Sequence, residues 1–409
     1  MFKLALRNLL RNKRRTAITC MAISGGLMLL MTGNNMNHGS YLALLDKGVS
    51  TAAGHVVVQG EGWQSDPDPI AHRVTDSAEL AAQIAAAFPE DRVLRRTFLG
   101  GLLTAPLNSV GVFVTGIEPS AEREVSDWHS KVVEGQWLED GDDRGIVLGV
   151  DLARSLDIAV GKKIVLMGQG KDDVASRLFR VRGFFRSGAA QADGFMSFVS
   201  VAAAQDFLGE PGAASQLSIH LAEPLRAEEA LETTRGLLAQ RSGLEILSWK
   251  EALDELYQFT VVDRRTNNKM MFFIGLVVAM GILNTVLMSV MERMREFGVM
   301  LALGLKPGKL RAMILLEGLL LGVFASAIGG AVAIAMTAYL VKYGVDYSAM
   351  MGESMEVAGV AVSTHMYAGW DVQSMVAYAL VSVGLSVTAT LYPAWKAGAL
   401  QPVESMRHT

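Results

Sequence analysis

The residues that could do chemistry are not spaced for any common reaction. Seven histidines are scattered with no His-x-His or His-x3-His pair, so no zinc site of recognisable spacing is present and no metal ligand is assigned. No G-x-S-x-G elbow, H-E-x-x-H pair or spaced carboxylate dyad stands out in the long hydrophilic segment, which leaves no catalytic residue to assign. Gly161-Lys162-Lys163 lacks both the upstream glycine and the hydroxyl residue of a phosphate loop, so the chain has no ATP-cradling loop of its own. The acidic pairs Asp142-Asp143 and Asp172-Asp173 sit among glycines and read as solvated turns. Met350, Met351 and Met355 could offer thioethers to a soft metal. With 22 methionines in the chain, packing at a membrane surface is the simpler account.

One cluster remains, in the short segment from Glu292 to Gly304. Met294, Phe297 and Leu301 fall at i, i+3 and i+7, which predicts a short helix with one apolar face. Glu292 and Glu296 lie one turn apart, beside Arg293 and Arg295, and Gly304 followed by Pro307 ends the helix. Such a helix could rest at lipid headgroups as a structural element or present a face to a partner. On the residues alone the structural role is preferred.

The elements that position this cluster are membrane spans. The chain is 51% hydrophobic and only 19% charged, below the usual charge of soluble domains. Met270–Met291, Gly318–Val341 and Val372–Trp395 each lack any Asp, Glu, Lys or Arg and reach the roughly 20 residues a bilayer needs. Thr16–Gly33 is shorter, ends at Asn34, Asn35 and Asn37, and has no convincing signal-peptidase site, so it reads as an uncleaved anchor. The single cysteine, Cys20, lies in that segment and excludes an intrachain disulfide.

Charge then sets the orientation. Lys3, Arg7, Arg11, Lys13, Arg14 and Arg15 precede the first span, and Arg293, Arg295, Lys306, Lys309 and Arg311 follow the second. The loop between spans three and four carries Asp346, Glu353, Glu356 and Asp371 instead. The positive-inside rule places both termini in the cytoplasm; the basic N-terminus needs no nucleic acid to explain it. Small residues recur at four-residue spacing as Gly318, Gly322, Ser326 and Gly330 in span three and Ser382, Ser386, Thr390 and Ala394 in span four. Such stripes allow close helix packing, within one subunit or across a dimer. Glu317, the one charge near a span, reads as snorkelling to headgroup level or pairing with an arginine.

The expected fold is thus a membrane protein of four transmembrane α-helices, with a large extracytoplasmic mixed α/β domain on helical stalks between spans one and two. Residues 1–15 form a basic cytoplasmic segment, 16–46 the first span and stalk, and 47–248 the external domain in two lobes. Residues 249–291 form the second stalk and span, expected as one continuous helix from Trp249, and 292–311 the cytoplasmic loop. Residues 312–341, 342–371, 372–395 and 396–409 are span three, the external loop, span four and the tail. Within the domain, strands are predicted at His55–Gly60, across Leu99–Ile117 with a turn at Pro106-Leu107-Asn108-Ser109, and near Ile146–Leu148, Lys163–Met167, Leu178–Phe185, Phe195–Ser200 and Gln216–Leu221. Helices are predicted at Ser77–Phe88, Val150–Leu156, Val201–Leu208 and Pro224–Gln240.

The run Met291-Glu292-Arg293-Met294-Arg295-Glu296-Phe297-Gly298-Val299-Met300-Leu301-Ala302-Leu303-Gly304 resembles the E-R-x-R-E-x-G-x-x-x-A-x-G signature of permeases in the LolC/LolE, MacB and FtsX superfamily of ABC transporters. Arg7-Asn8-Leu9 with Lys13-Arg14-Arg15-Thr16, and Tyr392-Pro393-Ala394-Trp395-Lys396-Ala397 with Gln401-Pro402-Val403-Glu404, are similar to the same family's two ends. Gly116-Ile117-Glu118-Pro119, Gly135, Gly145-Ile146-Val147-Leu148-Gly149, Leu152-Ala153 and Val160-Gly161 resemble the LolC/LolE branch. The resemblance covers the whole chain in order.

It implies that Glu292, Arg293, Arg295, Glu296, Phe297, Gly298, Met300, Leu301, Leu303 and Gly304 form a coupling helix docking on a separate LolD/MacB-like ATPase, which alone holds ATP and Mg. It also implies a non-catalytic, mechanotransmitting permease of the bacterial inner membrane, paired with a second copy or paralogue. Such a permease works with a periplasmic carrier or adaptor on a lipoprotein or other amphiphilic cargo. MacB proper fuses its ATPase to the same chain, so the absent phosphate loop moves the resemblance toward LolC/LolE. A MacB-like efflux permease and an FtsX-like regulator of a cell-wall hydrolase are the alternatives, and the roughly 200-residue domain is large for the latter.

Overall fold

The computed structural model describes Arg7 and residues 13–171, 173–351, 354–357 and 360–399. They fall into two compact units, one drawn from 1–42, 262–346 and 365–409 and the other from 43–261 and 347–364. The N-terminal basic residues other than Arg7, Lys13 and Arg14, the tail from Gln401, and Asp172 and Glu353 lie outside the described residues, as do the side chains of Arg15, Met351, Met355 and Glu356.

In chain order, α1 (Lys13–Gly48) runs through Asn34, Asn35 and Asn37 and ends in a π-helical turn, Val49–Ala53. The second unit continues with β1 (Val56–Gly60), α2 (Ser77–Ala87), β2 (Arg92–Thr104), β3 (Ser109–Ile117) and α3 (Pro119–Val125). Then come β4 (Val132–Gly135), β5 (Gly145–Gly149), α4 (Val150–Ser155), β6 (Lys163–Gln169) and β7 (Val174–Phe185). α5 (Ala190–Phe195), β8 (Met196–Ser200), α6 (Val201–Leu208), β9 (Gln216–His220), α7 (Ala227–Leu237), β10 (Leu244–Ser248) and α8 (Trp249–Ala252) follow. The remaining helices are α9 (Asp254–Glu292), α10 (Met294–Ala302), α11 (Pro307–Tyr343), α12 (Ser348–Met351) and α13 (Val372–Gly398). Between α11 and α13 the short pairs β11 (Val345–Asp346) with β14 (His365–Met366), and β12 (Ser354–Val357) with β13 (Val360–Ser363), close two small hairpins.

Two arrangements share β2. Its first half, Arg92–Arg96, pairs with β9, giving an antiparallel sheet in the order β10-β1-β9-β2. With α2 and α7 as crossovers this is a split β-α-β topology. Val56, Val58, Leu217 and Ile219 bury one sheet face against Leu80, Ile84, Ala230 and Leu231 of the two helices. From Thr97 onward β2 turns to β3 and β6, and the strands β2-β3-β8-β5-β7-β6 close into a ring. Leu99, Leu103, Val112, Val114, Ile146, Leu148, Ile164, Leu166, Phe179, Val181 and Val199 fill its core together with Phe207. The period-two pattern that predicts the strands is therefore also what fills the core.

The strands expected around Pro106–Ser109 form, with Ala105 N–H donating to Asn108 C=O across the turn at 2.9 Å. β4, β10, α3 and α5 carry too little periodicity to be read beforehand: β4 has four residues, mostly exposed, and α5 covers Phe195, expected to open a strand. The continuous helix expected from Trp249 is corrected. Ser248 and Glu251 form a capping box that starts α8, and Leu253 (φ −115°, ψ 54°) leaves helical geometry before α9 begins. Lack of Gly and Pro permits a helix but does not enforce one.

In the first unit, three helical stretches among the described residues are long and apolar enough to cross a membrane: Thr16–Ala53, Pro307–Tyr343 and Val372–Gly398. The remaining expected span, Met270–Met291, lies inside α9. Ser24 Oγ donates to Ala325 C=O at 2.8 Å and Asn35 Nδ2 to Thr337 Oγ1 at 3.1 Å, so α1 and α11 run in the same direction. Gly318 lies against Thr390 and Gly322 against Ser386, so α13 runs the opposite way. Asn34 and Asn35, both buried, bind the N-terminus of α13: Asn34 Nδ2 donates to Asp371 Oδ2 at 3.2 Å, and Asn35 Oδ1 accepts from Asp371 N–H at 3.3 Å. The three asparagines thus tie helices together rather than ending one.

Candidate functional site

α10 is held by its own chain at one end of the helical unit. Phe297 is fully buried among Leu310, Met313 and Ile314 of α11 and Ala394 and Ala397 of α13, with Met300 and Leu301 partly buried beside it. Burying one such aromatic side chain is worth about 1.5–3 kcal/mol. Arg293 lies over the Phe297 ring, its guanidinium 5.0 Å from the centroid. Its Nη1 donates to both Oε1 and Oε2 of Glu317 at 3.1 Å, and its Nε donates to Glu296 Oε2 at 3.3 Å. Glu317 is therefore paired with an arginine, the second of its two expected roles.

The helix ends as its sequence predicts. Gly304 adopts φ +91°, Leu305 N–H reaches Met300 C=O at 3.1 Å and Gly304 N–H reaches Leu301 C=O at 3.0 Å. This Schellman motif needs a residue that tolerates positive φ, and Pro307 then opens α11.

The structure divides the motif into two faces. Arg293, Phe297 and Gly298 are buried and Met294, Met300 and Leu301 partly so, whereas Glu292, Arg295, Glu296, Val299, Ala302, Leu303 and Gly304 are exposed. Leu303 is 82% exposed and Val299 45%. Two apolar side chains flanked by Arg295 and Glu292 on one outward stripe make a surface suited to a protein groove.

Of the small-residue stripe, Gly318 and Gly322 face α13, where a Cβ on Gly322 would stand 2.8 Å from Ser386 Cβ. Ser386 Oγ donates to Gly318 C=O at 2.9 Å. Ser326 is buried with no partner for its hydroxyl, and Gly330 opens onto free space. Ser382, Ser386, Thr390 and Ala394 are all buried.

A second polar centre, which sequence reasoning missed, sits where α1 enters the second unit. Arg96, 2% exposed, pairs with the 3%-exposed Glu122: Nε donates to Oε2 at 3.2 Å and Nη2 to Oε1 at 2.8 Å. The remaining donors reach the closing π turn, Nη1 to Ala52 C=O at 2.7 Å and Nη2 to Ser50 C=O at 3.4 Å, while Gln216 Nε2 also donates to Ala52 C=O at 3.1 Å. Carbonyls at a helix C-terminus carry partial negative charge, and a buried guanidinium is its complement. Lys47 and Lys131 share Asp127 beside it. Burial raises the Asp127 pKa, but the two ammonium groups outweigh it and hold the carboxyl below its usual range. Burial, Arg96 and His55 together push His220 down to about 2. No sequence spacing announces this centre, because Glu122 lies on α3 and Arg96 on β2.

The acidic pair at Asp142-Asp143 is structural rather than merely solvated. Asp142 accepts from Arg182 Nε at 2.6 Å and Nη2 at 3.0 Å, which holds its pKa low, and Asp143 Oδ1 accepts from Ser200 Oγ at 2.9 Å. Met350 is exposed, and no group of three His, Cys, Asp or Glu side chains that could hold a metal occurs among the described residues.

Comparison with known proteins places these features. The MacB-like periplasmic core domain matches residues 16–237, and the FtsX-like permease C-terminal domain matches residues 268–402. The lipoprotein-releasing system transmembrane protein LolC of Xylella fastidiosa is 24% identical over 424 aligned residues, covering 98% of this chain and 97% of that one. LolC of Neisseria meningitidis is 26% identical, covering 73% of each chain. The macrolide export ATP-binding/permease protein MacB of Nitrobacter winogradskyi is 28% identical over 47% of this chain and 27% of its own. The crystallised periplasmic region of MacB from Actinobacillus actinomycetemcomitans aligns with TM-score 0.36 and 12% identity, over 50% of this chain and 92% of that one. With two family domains in tandem across nearly its whole length, this chain belongs to the LolC/LolE–MacB–FtsX superfamily of ABC transporter permeases.

Proposed function

We propose that this permease couples ATP hydrolysis by a separate ABC ATPase to lipoprotein extraction from the outer leaflet of a bacterial inner membrane. The observation that carries the coupling is the division of α10 into an anchored face (Arg293, Phe297) and an outward face (Arg295, Val299, Leu303). A push on the outward face is delivered through Phe297 and the Arg293–Glu317 pair into α11 and α13. α9 supplies the fourth span. The shared direction of α1 and α11 supports putting the basic segment before α1 and the basic α10 loop on one side, the cytoplasm under the positive-inside rule. Residues 47–248 then face the periplasm, where a carrier receives the cargo. ATP and Mg belong to the ATPase, and the working unit pairs this chain with a second permease.

The LolC relatives across the chain support the lipoprotein cargo. The MacB-like core domain favours a second reading, efflux with a periplasmic adaptor and an outer-membrane channel. Affinity purification from detergent-solubilised membranes, with every co-purifying chain identified by mass spectrometry, separates them. An ATPase with lipoproteins or a soluble carrier supports extraction, an ATPase with an adaptor turns the case to efflux, and no ATPase refutes coupling.

A further inference from the structure

The second unit holds a cavity of about 310 Å³ between the outer surface of its strands and the turn that closes α1. Trp63, Phe98, Phe113, Trp128 and Phe198 supply an aromatic wall, and Thr51, Ala52 and Ala53 form the opposite side. These aromatics are in mutual contact: Phe98 lies 6.0 Å from Trp63 and 5.7 Å from Phe113, and Trp128 lies 5.1 Å from Phe198.

Lys47, Arg96, Glu122 and Lys131 are the charged side chains lining it. Arg96 and Glu122 cancel in their two-point pair. Lys47 and Lys131 have one carboxylate between them, Asp127. The rim therefore carries one positive charge in excess. Lys131, with its side chain 18% exposed and its ammonium 4.7 Å above the Trp128 ring, is half withdrawn from water. An apolar recess with a single uncompensated cation at its edge is complementary to an apolar molecule with one anionic end.

We infer that this cavity binds a short acyl carboxylate, its chain on the aromatic wall and its carboxylate between Lys47 and Lys131. The volume equals that of about ten water-sized atoms, the heavy-atom count of an eight-carbon carboxylate. Because the cavity is walled by the α1 turn that Arg96 clamps, an occupant rests directly on that turn. The inference does not depend on the transport reading.

The test is equilibrium dialysis of radiolabelled octanoate against the full chain in lipid nanodiscs, with empty nanodiscs as the partition control. One saturable site per chain is expected, displaced by unlabelled octanoate but not by octanamide or acetate. Lys131→Gln removes the excess charge while leaving Lys47 on Asp127, and should weaken binding about tenfold, the loss of one charge-assisted hydrogen bond. Thr115→Trp fills the recess and should abolish the saturable component. Since the larger side chain could disturb folding, Lys131→Gln and the octanamide competition stand independently of it. No saturable binding above empty nanodiscs, equal competition by octanamide, or unchanged affinity in Lys131→Gln each overturns the inference.

Discussion

Two buried Arg–Glu pairs anchor the two units, and they are built differently. Arg96 and Glu122 are 2% and 3% exposed, meet through two nitrogens and two oxygens, and have their spare donors taken by backbone carbonyls. Arg293 and Glu317 are 8% and 13% exposed, meet through one nitrogen, and share the guanidinium with the half-exposed Glu296. A charge pair fully withdrawn from water is stable only when every donor has an acceptor. A pair at a surface can leave one bond to a mobile partner. The first arrangement suits a fixed clamp on the end of α1. The second suits a hinge that passes displacement from α10 to α11.

Breaking each pair tests that distinction. Glu122→Ala leaves an unpaired guanidinium in the interior and should destabilise the second unit by about 3–5 kcal/mol. Replacing both partners, Arg96→Met with Glu122→Leu, should recover most of that loss; denaturant unfolding of the purified chain reads both. Glu317→Ala should cost less, about 1–3 kcal/mol, because Arg293 keeps Glu296 and some water. It should also lower stimulation of the co-purified ATPase. Equal costs for the two single variants would erase the contrast between clamp and hinge.

The clamp region should also be sensitive to acid. His220 is held neutral by burial and by Arg96, with its pKa near 2, while an unfolded histidine titrates near 6.5. The unfolded state therefore binds the extra proton first, and stability falls as pH drops below about 6.5. The loss between pH 7 and 5.5 should be about 1 kcal/mol. His220→Leu should remove that component, and an unchanged pH slope would show that the histidine titrates normally. The smallest stability effect belongs to Leu303→Asp, within about 0.5 kcal/mol because the side chain is exposed. Its functional effect should nevertheless be loss of ATPase stimulation. Normal stimulation in that variant would separate the outward face from coupling.

Much of this was legible because it is local. Gly304 and Pro307 terminate and restart helices through their own backbone preferences, and Phe297 falls on the buried face by helical spacing alone. The strands of the ring announced themselves through alternating apolar residues. Other features were opaque for equally physical reasons. Arg96 sits next to Arg95 in β2, and nothing in the sequence says that one is buried against Glu122 while the other meets Glu118 at a more exposed site. Leu253 interrupts a helix without any breaker residue, because the capping box at Ser248 and Glu251 starts a separate turn before it.

The sequence by itself determined the apolar lengths of the spans, the charge asymmetry of the loops, the amphipathic α10 and the absence of a phosphate loop. These depend on composition and on periods of two and 3.6 residues. Only the tertiary structure decided which small residues face a neighbour, that Asn34 and Asn35 cross-link helices, and that Arg96 clamps the end of α1. Each of those requires groups far apart in the chain to meet out of water. Their free energy comes from satisfying buried polar groups, which no local pattern encodes.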